Sequence, residues 1–191
     1  YSEEEDCFDP DELRLLMELA SDLAYGIGTL RTRVEHARAK EQLEFLSHFD
    51  PLTHLPNRLL LRDRFEHAAL VAQSDPGQIC MLYIDLDHFK QINDSLGYAA
   101  GDQVLVKVVE RLQQCIPVAS TVSRMSGDEF VVLLVDDLDV ASVAGVGNAI
   151  RDALTDPITT DDGLLNISCS VGISLYPGDG ADFETLLKHA H

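Results

Sequence analysis

Between residues 13 and 37 the apolar side chains Leu13, Leu16, Ala20, Leu23, Ile27, Leu30, Val34 and Ala37 recur at alternating spacings of three and four. That period holds one stripe along a helix and matches the seam of a two-stranded coiled coil, so the segment is predicted to pair with a second copy of itself. Asp9-Pro10-Asp11-Glu12 opens the helix, with proline and acids in its first turn. Gly26 and Gly28 weaken it locally and leave packing on an upstream domain as the alternative. Glu41 and Glu44 break the seam, Leu43 and Leu46 shift the stripe, and the helix is expected to end just before Asp50-Pro51.

From Phe49 onward the pattern changes to alternating helices and strands, which marks a domain boundary: residues 1–48 form an N-terminal signalling helix and linker, residues 49–191 a globular domain. Asn57 caps a helix over Arg58 to Gln73, and Asp75-Pro76-Gly77 turns the chain into an apolar strand from Ile79 to Ile84. A short helix over His88 to Ile92 follows, then one opened by Gly101-Asp102 with Val104, Leu105, Val108 and Leu112 on one face. Val122 to Leu134 reads as two strands around Ser126-Gly127, a hairpin. Ala141 to Leu154 is helical. Pro157 to Thr160 and Leu164 to Leu175 flank the turn Asp161-Asp162-Gly163 as a second hairpin, and a helix starts near Asp182. Hairpins interleaved with helices predict an α+β fold, an antiparallel-rich central sheet flanked by helices, preceded by the long N-terminal helix.

Composition narrows the function. With 14 basic against 33 acidic residues the net charge is −19, which repels nucleic-acid backbones and anionic membranes, and no basic patch offsets it. No stretch approaches a transmembrane span. Cys7, Cys80, Cys115 and Cys169 form no CxxC pair and read as reduced cytoplasmic thiols; the seven histidines show no metal-ligand spacing. The start at Tyr1 suggests a piece of a longer protein.

The chemistry lies in acids. The hairpin tip carries Asp128 and Glu129, and the apolar strand upstream ends in Asp85-Leu86-Asp87. Together these carboxylates suit Mg²⁺, which is held by one or two carboxylates plus substrate phosphates, and so point to nucleotide chemistry. Asp87 and Asp94 are read as capping or solvated residues.

Five segments in this order resemble the GGDEF family of diguanylate cyclases: Asp50-Pro51-Leu52-Thr53-His54-Leu55-Pro56-Asn57-Arg58; Asp85-Leu86-Asp87-His88-Phe89-Lys90-Gln91-Ile92-Asn93-Asp94; Gly97-Tyr98-Ala99-Ala100-Gly101-Asp102; Ser126-Gly127-Asp128-Glu129-Phe130; and Ser170-Val171-Gly172-Ile173-Ser174. The resemblance implies a palm-like core on a ferredoxin-like plan and the condensation of two GTP into cyclic di-GMP with Mg²⁺ or Mn²⁺. It implies that Asp85, Asp128, Glu129 and the Leu86 carbonyl hold metal. Asn93 and Asp102 would bond the guanine edge, and Lys90 with the backbone near His88 and Phe89 would meet phosphates. Ser126 and Gly127 would let the turn approach the nucleotide, and Glu129 would assist the metal or take the 3′-hydroxyl proton. It further implies a homodimer joined through the N-terminal helix, with fused sensory and EAL domains, in the bacterial cytoplasm.

Departures from the family pattern keep a second reading open. Ser126 replaces the usual first glycine of the signature, which sets catalysis in question more than nucleotide binding. His54 stands for a usual glycine and Tyr98 for a usual histidine. The inhibitory RxxD motif is replaced by Pro117-Val118-Ala119-Ser120, and the family's triphosphate-gripping Lys and Arg are expected past His191, making the domain truncated before its last helix. The alternative is a degenerate GTP-binding domain that regulates a fused EAL phosphodiesterase.

Overall fold

A computed structural model of the chain describes residues 10–72, 78–136 and 139–191. The expected helix start at Asp9, the cysteine at position 7 and the turn at Asp75-Pro76-Gly77 lie outside the described residues. The chain divides into two compact units, Tyr1–Phe45 and Leu46–His191.

Helix α1 (Pro10–His48) begins at Pro10, whose restricted φ suits a first helical position, and stops before Asp50-Pro51. Of the predicted stripe, the side chains of Leu13 and Ala20 lie outside the described residues, while Leu16, Leu23, Ile27, Leu30 and Val34 are all exposed in the single chain. Among the described residues no helix is long and apolar enough to cross a membrane.

The second unit holds α2 (Arg58–Ala72), β1 (Gln78–Asp87), α3 (Phe89–Leu96), α4 (Tyr98–Cys115), β2 (Thr121–Ser126), β3 (Glu129–Asp136) and α5 (Val140–Thr155). It continues through β4 (Ile158–Thr160), β5 (Gly163–Leu165), β6 (Ser168–Tyr176) and α6 (Phe183–Ala190). Asn57 caps α2 as its sequence predicts, its Oδ1 accepting from the amides of Leu59 at 3.0 Å and Leu60 at 3.1 Å. Four strands form an antiparallel sheet in the order β2-β3-β1-β6.

Central β1 is buried on both faces, which is why its sequence is an apolar run rather than an alternation. Leu82, Ile84 and Leu86 pack with Val104, Leu105 and Val108 of α4 and with Ile150 and Leu154 of α5. Met81 and Tyr83 point the other way, with Val131 and Leu133 of β3, and meet Leu61 and Phe65 of α2 and Phe183, Leu186 and Ala190 of α6. The central sheet flanked by helices is the α+β arrangement the pattern predicted.

Two expectations need correction. Helix α4 starts at Tyr98, not at Gly101, because the chain breaks earlier, at Gly97 with φ 87°, and α3 runs on to Leu96. The predicted strand Leu164 to Leu175 is two strands: β5 pairs only with β4, and after Asn166 and Ile167 the chain enters β6 and joins β1 in the main sheet. Periodicity reports extended backbone; it carries no record of which neighbour supplies the hydrogen bonds.

Candidate functional site

The antiparallel register sets Asp85 of β1 directly opposite Glu129 of β3. Directly opposed side chains share a face with Cβ atoms about 5 Å apart, so the two carboxylates are neighbours by construction. The ladder between β2 and β3 shifts register between Arg124 and Ser126, and Gly127 takes φ 49° in the turn, a left-handed conformation that suits glycine. Asp128 follows, its carbonyl 3.4 Å from the Leu86 amide. Three acids from two segments thus meet at one end of the sheet.

Electrostatics records that meeting. Asp85 is pushed above the ordinary aspartate range, first by burial and then by the like charges of Asp128, Glu129 and Asp87. Glu129 goes the other way: the Ser126 hydroxyl donates to its Oε2 at 2.5 Å and, against some burial, lowers it, with Tyr83 adding a second hydrogen bond. Tyr83 itself is raised, by burial and by that bond to Glu129. The ring of Tyr83 stands edge-on to His191, centroids 4.8 Å apart, at the end of α6. A hard divalent cation fits this donor set, because carboxylate oxygens crowded by like charge are stabilised when a cation enters. Mg²⁺ is commonly held by one or two carboxylates together with substrate phosphates; among the described residues no group of three or more His, Cys, Asp or Glu side chains is arranged to hold a metal ion.

The turn is anchored by Arg124. Its Nε and Nη2 donate to the Gly127 carbonyl at 3.0 and 2.8 Å, and its Nη1 reaches Asp50 Oδ1 at 2.9 Å. Asp50 also accepts from the Thr53 amide at 2.8 Å and hydroxyl at 2.6 Å. Burial works to raise Asp50, but the Thr53 bonds and the Arg124 guanidinium outweigh it and hold the carboxyl below its usual range. The loop of residues 49–56 is further sewn to β2 through the Pro56 carbonyl, which accepts from Ser123 Oγ at 2.6 Å and the Arg124 amide at 3.0 Å. His54 adopts φ 56° in this loop, a left-handed conformation that glycine takes more readily.

On the other face of the sheet, α3 and α4 hold the predicted base-binding pair. Asn93 lies against Gly101: a Cβ there would sit 2.0 Å from Asn93 Oδ1. Only glycine at 101 leaves that space to the Asn93 amide. Asp102 is exposed at the rim of a groove of ≈ 470 Å³ that Leu52, Gln103, Val106 and Thr160 also line. Phe89 is buried in the core and contributes backbone only, His88 adopts φ 61° ahead of α3, and Lys90 is exposed.

Asp87, read from the sequence as a capping or solvated residue, is not the cap of α3, which is His88; its half-exposed carboxylate accepts from Ser168 Oγ at 2.6 Å and Ser170 Oγ at 2.9 Å, tying the end of β1 to β6. The alternation of Ser168 and Ser170 along β6 was the available signal, but it acquires meaning only once β6 is known to pair with β1.

Comparison with known proteins places this arrangement. The family model described as diguanylate cyclase, GGDEF domain, matches residues 47–191. The chain is 39% identical over 154 residues to the bifunctional diguanylate cyclase/cyclic di-GMP phosphodiesterase MucR of Pseudomonas aeruginosa, covering 81% of this chain and 22% of that protein. It is 37% identical over 175 residues to the diguanylate cyclase TpbB of the same organism, covering 88% and 40%. The chain therefore spans well under half the length of these curated relatives. Among solved structures, the isolated GGDEF domain of TpbB superposes with a TM-score of 0.72 at 38% identity, covering 75% of this chain and 84% of that one. The coiled coil and GGDEF domain of DgcB from Caulobacter crescentus, in complex with c-di-GMP, superposes with a TM-score of 0.71 at 25% identity, covering 90% of each. By its family match, its relatives and its fold, this chain belongs to the GGDEF-domain family of diguanylate cyclases and cyclic di-GMP signalling proteins.

Proposed function

We propose that the domain is a diguanylate cyclase, condensing two GTP into cyclic di-GMP with release of two pyrophosphates, as a cytoplasmic homodimer paired through α1. The observation that carries this reading is the strand register that opposes Asp85 to Glu129 beside the turn bearing Asp128. Asp85, Asp128, Glu129 and the Leu86 carbonyl would hold Mg²⁺ or Mn²⁺. The ion, when bound, offsets charge on the triphosphate and polarises the α-phosphate. Asn93 and Asp102 bind the guanine edge; an acid facing guanine's N–H donors selects against adenine, which leaves it unpaired. Lys90 and the backbone of residues 88–89 meet phosphate oxygens. Glu129 takes the proton of the 3′-hydroxyl of one GTP, that oxygen attacks the α-phosphorus of the other, and the bond to pyrophosphate breaks; the reciprocal step closes the ring. Each protomer presents one GTP, so the two α1 helices set the approach of the reactants.

A second reading is favoured by particular observations. Ser126 departs from the glycine of the signature, and relatives at 37% and 35% identity are named as cyclic di-GMP phosphodiesterases, NbdA and PdeR. Under it, the domain binds GTP and regulates a fused EAL phosphodiesterase. Incubation with radiolabelled GTP and Mg²⁺, followed by chromatography, separates the two. Cyclic di-GMP formed by the wild type and abolished in Asp128→Asn supports the cyclase; GTP binding without product, with GTP stimulating a fused phosphodiesterase, supports the regulator.

A further inference from the structure

The residue that departs from the family signature is engaged with one that the proposed chemistry uses. Ser126 ends β2, Glu129 begins β3, and the two pair across the turn, the Ser126 hydroxyl donating to Glu129 Oε2 at 2.5 Å. Tyr83 of β1 lies two residues before Asp85, on the same face and diagonal to Glu129. The Tyr83 ring is fixed by burial and by its contact with His191. Ser126, in contrast, is exposed, so its hydroxyl serves no core-packing purpose.

From this geometry we infer that Ser126 is a positioning residue, whose hydroxyl holds the Glu129 carboxylate in the site and so strengthens divalent-cation binding. The inference rests on the metal–GTP reading above. Its physical reason is repulsion. Glu129 faces Asp85 and stands beside Asp128, so without a donor to hold it the like charges would drive its flexible side chain outward to solvent. A donor aimed at its Oε2 holds it inward and removes rotamer freedom that would otherwise be lost on binding. The turn conformation itself does not require glycine at 126, because the left-handed position belongs to Gly127. Restoring the family's glycine is therefore expected to weaken the site, contrary to the view that a side chain at 126 merely obstructs phosphate.

The test is Mn²⁺ binding, followed by electron paramagnetic resonance on the full chain with a GTP analogue lacking the 3′-hydroxyl, so that no turnover intervenes. Ser126→Ala and Ser126→Gly are expected to raise the Mn²⁺ dissociation constant roughly tenfold, as for loss of one charge-assisted hydrogen bond. Ser126→Thr, which keeps the hydroxyl, should bind as the wild type does. In a Glu129→Gln background Ser126→Ala should have little further effect, because the group it positions no longer carries charge. Equal affinity for wild type, Ser126→Ala and Ser126→Gly, or tighter binding by Ser126→Gly, overturns the inference. Failure of the wild type to take up Mn²⁺ with the analogue overturns the metal–GTP reading itself, and the inference with it. Thermal melts of the variants should coincide, and a fall in Mn²⁺ affinity matched by a loss of folded protein would mark Ser126 as merely structural.

Discussion

Replacing Gly101 by Ala should remove guanine selectivity while leaving the domain folded. The added Cβ would lie 2.0 Å from Asn93 Oδ1, 3.1 Å from Asn93 Cγ and 3.2 Å from Phe89 Cζ. The first two atoms belong to the end of a side chain that can rotate; the third is the edge of a ring that must yield by a few tenths of an ångström. Forcing extra carbon into a packed site costs about 1–3 kcal/mol, while Ala in place of Gly inside a helix returns about 1 kcal/mol. With the Asn93 amide turning away rather than the backbone shifting, the net stability change should stay within about 1 kcal/mol, a shift of roughly a few degrees in Tm. The effect on binding is larger, because the rotated amide forfeits its bonds to guanine and leaves base groups unpaired, about 1–3 kcal/mol, or roughly 5- to 150-fold in affinity. Calorimetric titration with GTP and with ATP, beside thermal melts, measures both quantities. GTP affinity should fall towards that for ATP with Tm nearly unchanged. Unaltered GTP affinity would refute the role given to Asn93; collapse of the fold would refute the claim that this side chain absorbs the clash.

Asp50→Asn should destabilise the domain by about 1–3 kcal/mol, since it leaves the largely buried Arg124 without its carboxylate. Because the Asp50 pKa is lowered by folding, that stabilisation is full above the ordinary 3.8 and lost as pH falls through the lower folded value, so wild type and variant should converge in urea melts only below pH 3.8. A gap that closes nearer neutrality would refute the assignment. Alkylation under native, mildly alkaline conditions should spare Cys80 and Cys169, whose thiols burial pushes up to about 12 and about 11, the charges of Asp179 and Asp87 adding to the shift. Modification of either before partly exposed Cys115, read by peptide mass spectrometry, would contradict the packing. Lys at both Leu23 and Ile27, which are 65% and 54% exposed in the single chain, should leave the protomer folded but abolish the dimer proposed through α1 in sedimentation; a persisting dimer would exclude the stripe as the seam.

The sequence by itself determined most of the elements and pointed to the candidate chemistry. Asn57 predicts its cap, the apolar run from Ile79 to Ile84 predicts a strand, and the acids at the end of β1 and in the β2–β3 turn stand out because turns and strand ends do not need them. Local signals suffice there, since a cap or a turn is decided by neighbours a few residues away. What tertiary structure alone decided is pairing across distance. The split of the Leu164 to Leu175 segment between two sheets, the serine donors to Asp87, the tie from Arg124 to Asp50 and the approach of Asn93 to Gly101 all join residues from separate elements. The Tyr83 contact to Glu129 depends likewise on β1 lying beside β3. A period of two tells which face a side chain takes; the partner on that face is chosen by the register of a strand 44 residues away in the pair Asp85 and Glu129, which only the folded sheet supplies.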